Sequence, residues 1–155
     1  LFMAYTHIAH DCIIGNDCII ANAVNLGGHI TIGNNVNVGG MTGIHQFVTI
    51  GDGAMIAGAS ALGRDIPPFC MAQGNHAVIR GLNKYRLRKL FSRDEVDAIS
   101  RTYKILFSGS APIRELAQDL LKKAEFESIK NICTFIINTK RGIPFVRGEL
   151  EDDEN

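Results

Sequence analysis

Every sixth residue from Ile8 is aliphatic: Ile8, Ile14, Ile20, Leu26, Ile32, Val38, Ile44, Ile50, Ile56 and Leu62. The next residue is small at nine of these ten places (Ala9, Gly15, Ala21, Gly27, Gly33, Gly39, Gly51, Ala57, Gly63), and the exception is His45. Four residues after each aliphatic stands a second in-phase set, Cys12, Cys18, Val24, Ile30, Val36, Thr42, Val48, Ala54, Ser60 and Ile66, small to medium and mostly apolar. A helix repeats near 3.6 and an amphipathic strand at about 2, so a strict six with small residues in phase fits neither as a free-standing element. It fits a parallel β-helix. There each hexad supplies a short strand and a turn, three hexads close a triangular coil, and the aliphatics stack into one narrow core. The small residue is expected to let the chain turn tightly beside that core, where glycine's permissive backbone helps.

The period stops at RDIPPFC (64–70), where Pro67 and Pro68 cannot donate to a ladder. Beyond it the pattern reads as helix. FSRDEVDAISRTYKILFSG (91–109) offers Ser92 as N-cap with Glu95 three residues on, a capping box, then Val96, Ile99, Tyr103 and Leu106 at helical spacing and Gly109 as the stop. A second helix begins at Ser110 with Pro112 in its first turn, and ESIKNICTFIINTKRG (127–142) gives a third that stops near Gly142. The expected organisation is a β-helix over 1–73, an α-helical domain over 74–148 that closes the end of the solenoid, and an acidic tail over 149–155.

Charge follows the same three zones. The formal net charge is zero, from 16 basic and 16 acidic residues, yet residues 1–73 hold a single basic residue, Arg64, against Asp11, Asp17, Asp52 and Asp65. The middle zone is basic, with Arg80, Lys84, Arg86, Arg88, Lys89 and Arg93 close together, which suits an anionic partner or substrate; a merely solvated face is the plainer alternative. The four cysteines (Cys12, Cys18, Cys70, Cys133) form no CxxC spacing, which suits a reducing compartment, and Cys12 and Cys18 read as small buried residues. No apolar run approaches the roughly 18 residues of a membrane span and no signal peptide opens the chain, so a soluble, cytoplasmic protein without nucleic-acid partner or membrane span is expected. The chain opens on Leu1, not methionine, already inside the repeat, so a fragment or a processed product is expected.

Three hexads per coil place residues 18 apart above one another, about 4.8 Å away. His10 then stacks under Gly28 and Gln46, Asp11 under His29 and Phe47, and Ala9 under Gly27 and His45. Three readings are open for this polar corner. It is a solvated turn; or His7, His10 and His29 supply three nitrogens to zinc, as in metal-dependent β-helix enzymes; or His10 is a base oriented by Asp11, with the Gly28 N–H stabilising an oxyanion during acyl transfer.

The segments HIAHDC, GGHITIG, GGMTGIHQF, IPPFCMAQGNHA and GLN, in this order, resemble the acyl-(acyl-carrier-protein)-UDP-N-acetylglucosamine O-acyltransferases of lipid A biosynthesis. The likeness runs from Tyr5 through the helical region. It implies a homotrimer of left-handed β-helices with active sites between subunits, a hand opposite to the usual crossover preference. It also implies roles for individual residues: His10 as general base, Asp11 as its orienting partner and Gly28 as oxyanion donor. His7 and His29 would contact substrate, and His45 and Gln46 would line the acyl or sugar pocket. Gly58 would leave room for a long acyl chain. Asn83 would touch the nucleotide from a neighbouring subunit, with Arg88 and Lys89 against phosphate or uridine. The implied donor is a 3-hydroxyacyl group on acyl carrier protein, and the acceptor is UDP-N-acetylglucosamine or its 3-amino analogue; no cofactor or metal is implied. The chain departs from the family in NKYRLRKLFS (83–92), one residue shorter than usual, and in lacking the coils that precede HIAHDC there, a departure that implies weak or no activity if this is the whole chain. A zinc-dependent β-helix enzyme of carbonic anhydrase type and a non-catalytic trimerisation scaffold are the alternatives.

Overall fold

The structure, a computed structural model, describes residues 1–148 and 150. Of the expected acidic tail, only Leu150 lies among them.

The six-residue period folds into ten two-residue strands on three faces. The first face carries β1 (His7–Ile8), β4 (Asn25–Leu26), β7 (Gly43–Ile44) and β10 (Ala61–Leu62); the second β2 (Ile13–Ile14), β5 (Thr31–Ile32) and β8 (Thr49–Ile50); the third β3 (Ile19–Ile20), β6 (Asn37–Val38) and β9 (Met55–Ile56). All pairs are parallel and 18 residues apart, as in Ile8↔Leu26, Ile14↔Ile32 and Ile20↔Val38. The aliphatics from Ile20 to Leu62 are buried in the column they were expected to build. The second in-phase set is buried beside them from Cys18 onward, while Cys12, expected to be buried, is half-buried in the first coil. The polar members of this set find acceptors. Cys12 Sγ donates to Gly27 O (3.2 Å), Cys18 Sγ to Gly33 O (3.0 Å) and Thr42 Oγ1 to Ala57 O (3.1 Å), always 15 residues ahead. A hydroxyl or thiol is tolerated inside so thin a core because the next coil holds a carbonyl at this point.

The glycines serve another purpose than the one expected. Positive φ does recur every six residues, at Tyr5, Asp11, Asp17, Ala23, His29, Asn35, Met41, Phe47, Gly53 and Ala59, but from Asp11 on this is three residues after the aliphatics Ile8 to Ile56, and only Gly53 is a glycine. The small residue directly after the aliphatic instead lies under the backbone of the coil above. A β-carbon on Gly39 would come within 2.3 Å of Gly58 N, on Gly51 within 2.5 Å of Pro68 N, and on Gly27 within 2.7 Å of Gln46 N. Close stacking demands the small residue there. Gly39→Ala is accordingly expected to cost about 1–3 kcal/mol in urea unfolding, whereas Gly43→Ala, whose β-carbon meets nothing within 4 Å, should stay within about 0.5 kcal/mol of the parent.

Past Pro67–Pro68 the chain is not yet helical. β11 (Cys70–Gln73) continues the third face, Met71 pairing with Met55 16 residues back, and then turns into an antiparallel partner, β12 (Val78–Leu82). The alternating burial of Cys70–Gln73 is a strand pattern, and helical periodicity starts only after Asn83, so the expected helical domain over 74–148 opens on a strand. Four helices follow: α1 (Lys84–Leu90), α2 (Arg93–Leu106), α3 (Ile113–Lys123) and α4 (Glu127–Asn138). Ser92 Oγ accepts from the Glu95 N–H (3.3 Å) as the capping box requires, but the Glu95 carboxylate turns away to accept from Ser128 Oγ (2.6 Å), tying α2 to α4. α4 stops at Asn138, short of Gly142, because the next residues are held by the last coil. Thr139 Oγ1 donates to Asp65 Oδ2 (2.5 Å), Arg141 Nε to Gly63 O (2.8 Å), and Asp65 N–H to Gly142 O (3.0 Å). The buried Tyr103 hydroxyl donates to Pro68 O, so the prolines that end the repeat also anchor the helices.

Burial pushes the Cys70 thiol up to about 12 from 9.0, with Tyr103's hydrogen bond offsetting part of the rise. A raised value favours the protonated folded form, so this contribution is complete below pH 9.0 and is lost as pH climbs toward 12. Urea midpoints should therefore fall between about pH 8 and about pH 10.5 by less in Cys70→Ala than in the parent.

Candidate functional site

The expected corner is formed by the turns after β1, β4 and β7. The His29 N–H donates to His10 O and the Phe47 N–H to Gly28 O, each at 3.0 Å, which locks three successive turns in register. His10 Nδ1 lies 2.9 Å from Asp11 Oδ2. An ionised carboxylate only accepts, so the proton sits on Nδ1 and the neutral ring keeps its lone pair on Nε2. The Asp11 carboxyl is held below its usual value, first by the hydrogen bond from His10 and then by the charge of His29, whose Nε2 is 3.7 Å away. The His10 and His29 rings meet edge to face at 5.0 Å, and His29 stacks flat on Phe47 at 4.7 Å and 4°. One carboxylate oxygen thus faces two imidazoles, and an aromatic ring fixes the plane of the second.

Gly28 completes the corner by lacking a side chain. A β-carbon there would lie 2.8 Å from His10 Cε1 and 2.9 Å from Nε2, so the imidazole occupies the place where any other residue would put its side chain. Among the described residues no acceptor meets the Gly28 N–H. The next corner differs: at the equivalent turn positions the Asn16 N–H is taken by Asn34 Oδ1 and the Asn34 N–H by Asp52 Oδ1, both at 2.7 Å. The histidine corner therefore sets the lone pair of an exposed imidazole beside a free backbone donor at the buried Gly28.

Not every expected site residue is here. His45 and Gln46 are, exposed above Gly27 and Gly28, with His45 Nδ1 3.1 Å from Gln46 O. His7 lies on β1 opposite Asn25, outside the His10–Asp11–His29 group whose donor atoms fall within 4.8 Å of one another, so the expected three-histidine set is not assembled. Gly58 belongs to a different corner, where a β-carbon would come 3.2 Å from Gly40 O. Asn83 is buried and structurally committed, its amide donating to Gly53 O (2.9 Å) and its oxygen capping α1 at Arg86 N–H (3.3 Å). Arg88 and Lys89 are exposed on α1; Arg88 borders a cavity of about 570 Å³ with Lys84, Arg93 and Asp97, and Lys89 sits 4.6 Å over the Tyr85 ring. Phe47 was not singled out from the sequence. Its 18-residue register with His29 was legible, but its second role was not, since it lines a cavity of about 790 Å³ with Asp65, Phe135, Asn138 and Arg141 that only the docking of α4 creates.

Known proteins share this sequence and fold. A family described as UDP-N-acetylglucosamine O-acyltransferase, domain 2, matches residues 65–144. An acyl-(acyl-carrier-protein)-UDP-N-acetylglucosamine O-acyltransferase of Campylobacter jejuni subsp. doylei is 60% identical over 147 residues, 95% of this chain and 56% of that protein. One of the same description from Aliarcobacter butzleri is 51% identical over 95% of this chain and 57% of its own length. The solved UDP-N-acetylglucosamine acyltransferase from Campylobacter jejuni superposes with a TM-score of 0.87 at 53% identity, covering 92% of this chain and 56% of that one. The chain thus spans about half the length of the relatives it matches. The architecture is the expected left-handed parallel β-helix followed by helices, and nothing points to the zinc-enzyme alternative. By sequence and by fold, this chain belongs to the UDP-N-acetylglucosamine O-acyltransferase family.

Proposed function

We propose that the chain carries the catalytic corner of an enzyme that moves a 3-hydroxyacyl group from acyl carrier protein to the 3-position of UDP-N-acetylglucosamine, or of its 3-amino analogue, at the first step of lipid A biosynthesis. His10 Nε2 takes the proton from the 3-substituent as that atom attacks the thioester carbonyl. The Gly28 N–H receives the negative charge that develops on the carbonyl oxygen. Collapse of the tetrahedral intermediate breaks the C–S bond, and the imidazolium returns its proton to the departing carrier thiol. Asp11 holds Nδ1 and steadies the imidazolium in between. The observation that carries this reading is the free Gly28 N–H beside a histidine lone pair fixed by a carboxylate.

The remaining residues fit a homotrimer with shared sites. Gly58, Asn83, Arg88 and Lys89 lie away from the histidine corner in one chain, and a neighbouring subunit would bring them to it, Gly58 at the acyl chain and the cations at the nucleotide. The basic side chains around α1 suit an acidic carrier protein and a pyrophosphate, by long-range attraction as much as by contact. A cytoplasmic setting agrees with free cysteines and with the absence, among the described residues, of a helix long and apolar enough to cross a membrane.

The test is mass spectrometry of the product that the enzyme, carrying the coils that precede this segment in its relatives, forms from mixed hydroxyacyl carrier proteins and both acceptor sugars. A 3-acylated UDP-sugar is expected, its chain length reporting the space at Gly58; unchanged sugars with intact thioester would overturn the proposal.

A further inference from the structure

The histidine corner has the donor set of a metal site as well as of a base. Oδ2 of Asp11 lies 2.9 Å from His10 Nδ1 and 3.7 Å from His29 Nε2. Neighbouring donors of a tetrahedral zinc ion, with bonds of about 2.1 Å, are about 3.4 Å apart. Two of the distances already bracket that value, and the donor atoms of all three residues fall within 4.8 Å, a gap that side-chain rotation closes. The backbone needs no change, since His10 O accepts from the His29 N–H and the coils fix both turns. Two imidazoles with one carboxylate select a late first-row divalent ion over magnesium or calcium, which take oxygen ligands, and three protein donors leave a coordination position open to solvent.

We infer that His10, Asp11 and His29 take up a single zinc ion, and that the ion switches His10 off as a base; the second half rests on the acyl-transfer reading above. The switch is tautomeric. In the free protein Nδ1 carries the ring proton and Nε2 the lone pair. Zinc takes the lone pair of Nδ1, so the one proton of the neutral ring moves through solvent to Nε2. The nitrogen beside Gly28 then donates where it had accepted, His10 keeps its one ring proton, and any proton on His29 Nε2 leaves to solvent as the ion binds. The ion is an inhibitor here, not the reaction's Lewis acid, and His7 has no part in holding it.

Calorimetric titration of the purified chain with zinc chloride tests the first half. A single ion per chain is expected, with affinity falling about tenfold or more in Asp11→Asn and in His29→Ala and unchanged in His7→Ala. Failure to bind, or binding that survives both Asp11→Asn and His29→Ala, overturns it. Long-range proton–nitrogen NMR spectra of the imidazoles test the second half without turnover. Zinc should convert His10 Nε2 from unprotonated to protonated; an unchanged His10 ring at saturating zinc overturns the switch. Neither readout needs an active enzyme, so failure of zinc to bind counts against the zinc site alone, and failure of acyl transfer by the metal-free enzyme with its preceding coils counts against acyl transfer and leaves the zinc site standing.

Discussion

His10→Ala is expected to lower acyl-transfer turnover by about 10²- to 10⁴-fold, the range a general base contributes, with little change in the melting curve. The imidazole is 73% exposed, so its removal should leave the solenoid within about 0.5 kcal/mol of the parent. What survives is positioning and the Gly28 N–H, which is why a residual rate above the uncatalysed one is expected. Steady-state kinetics with hydroxyacyl carrier protein checks the loss. It should fall on kcat, because the proton is moved in the transition state and not on binding. Near-normal turnover in this variant removes His10 from the chemistry.

Gly28→Ala is the second large effect, and it separates two uses of one residue. The added methyl would meet His10 Cε1 and Nε2 at 2.8 and 2.9 Å, the far end of a flexible side chain, so the coil survives and the ring is pushed aside. Displacing a base by about 1 Å is enough for a loss of about 100-fold, although alanine keeps the backbone N–H. A double-mutant cycle identifies the route. If the methyl acts through the imidazole, adding Gly28→Ala to His10→Ala costs almost nothing further; an independent second loss would mean that the methyl blocks substrate instead.

The solenoid was readable from the sequence because its signal is a period. A hydrophobic column, a small-residue column and an 18-residue register follow from one repeat, and the structure has each of them. Tight turning does not account for the glycines, and a single chain read linearly does not reveal that the Gly39 α-carbon lies beneath the Gly58 amide. The strand pair β11–β12 was missed for a related reason. Two prolines broke the period, and Cys70–Gln73 is too short to declare itself without the β9 edge it joins. The histidine corner was legible because register converts positions 10, 28 and 46 into neighbours. What register does not supply is orientation: the flat stack of Phe47 on His29, the shared oxygen of Asp11, and the double commitment of Asn83 to Gly53 and to α1 all come from side-chain geometry. Asp65 is a further case. Nothing in RDIPPFC hinted that its carboxylate would bind Thr49 N–H at 2.7 Å on one oxygen and Thr139 on the other, joining the last coil to the C-terminal segment.

That acyl transfer happens at this corner is tested most directly by carbethoxylation of the native protein's imidazoles, with peptide mapping alongside turnover. Inactivation is expected to follow modification of His10 in rate, and UDP-N-acetylglucosamine should slow both together. Full modification of His10 with turnover unchanged would contradict the assignment.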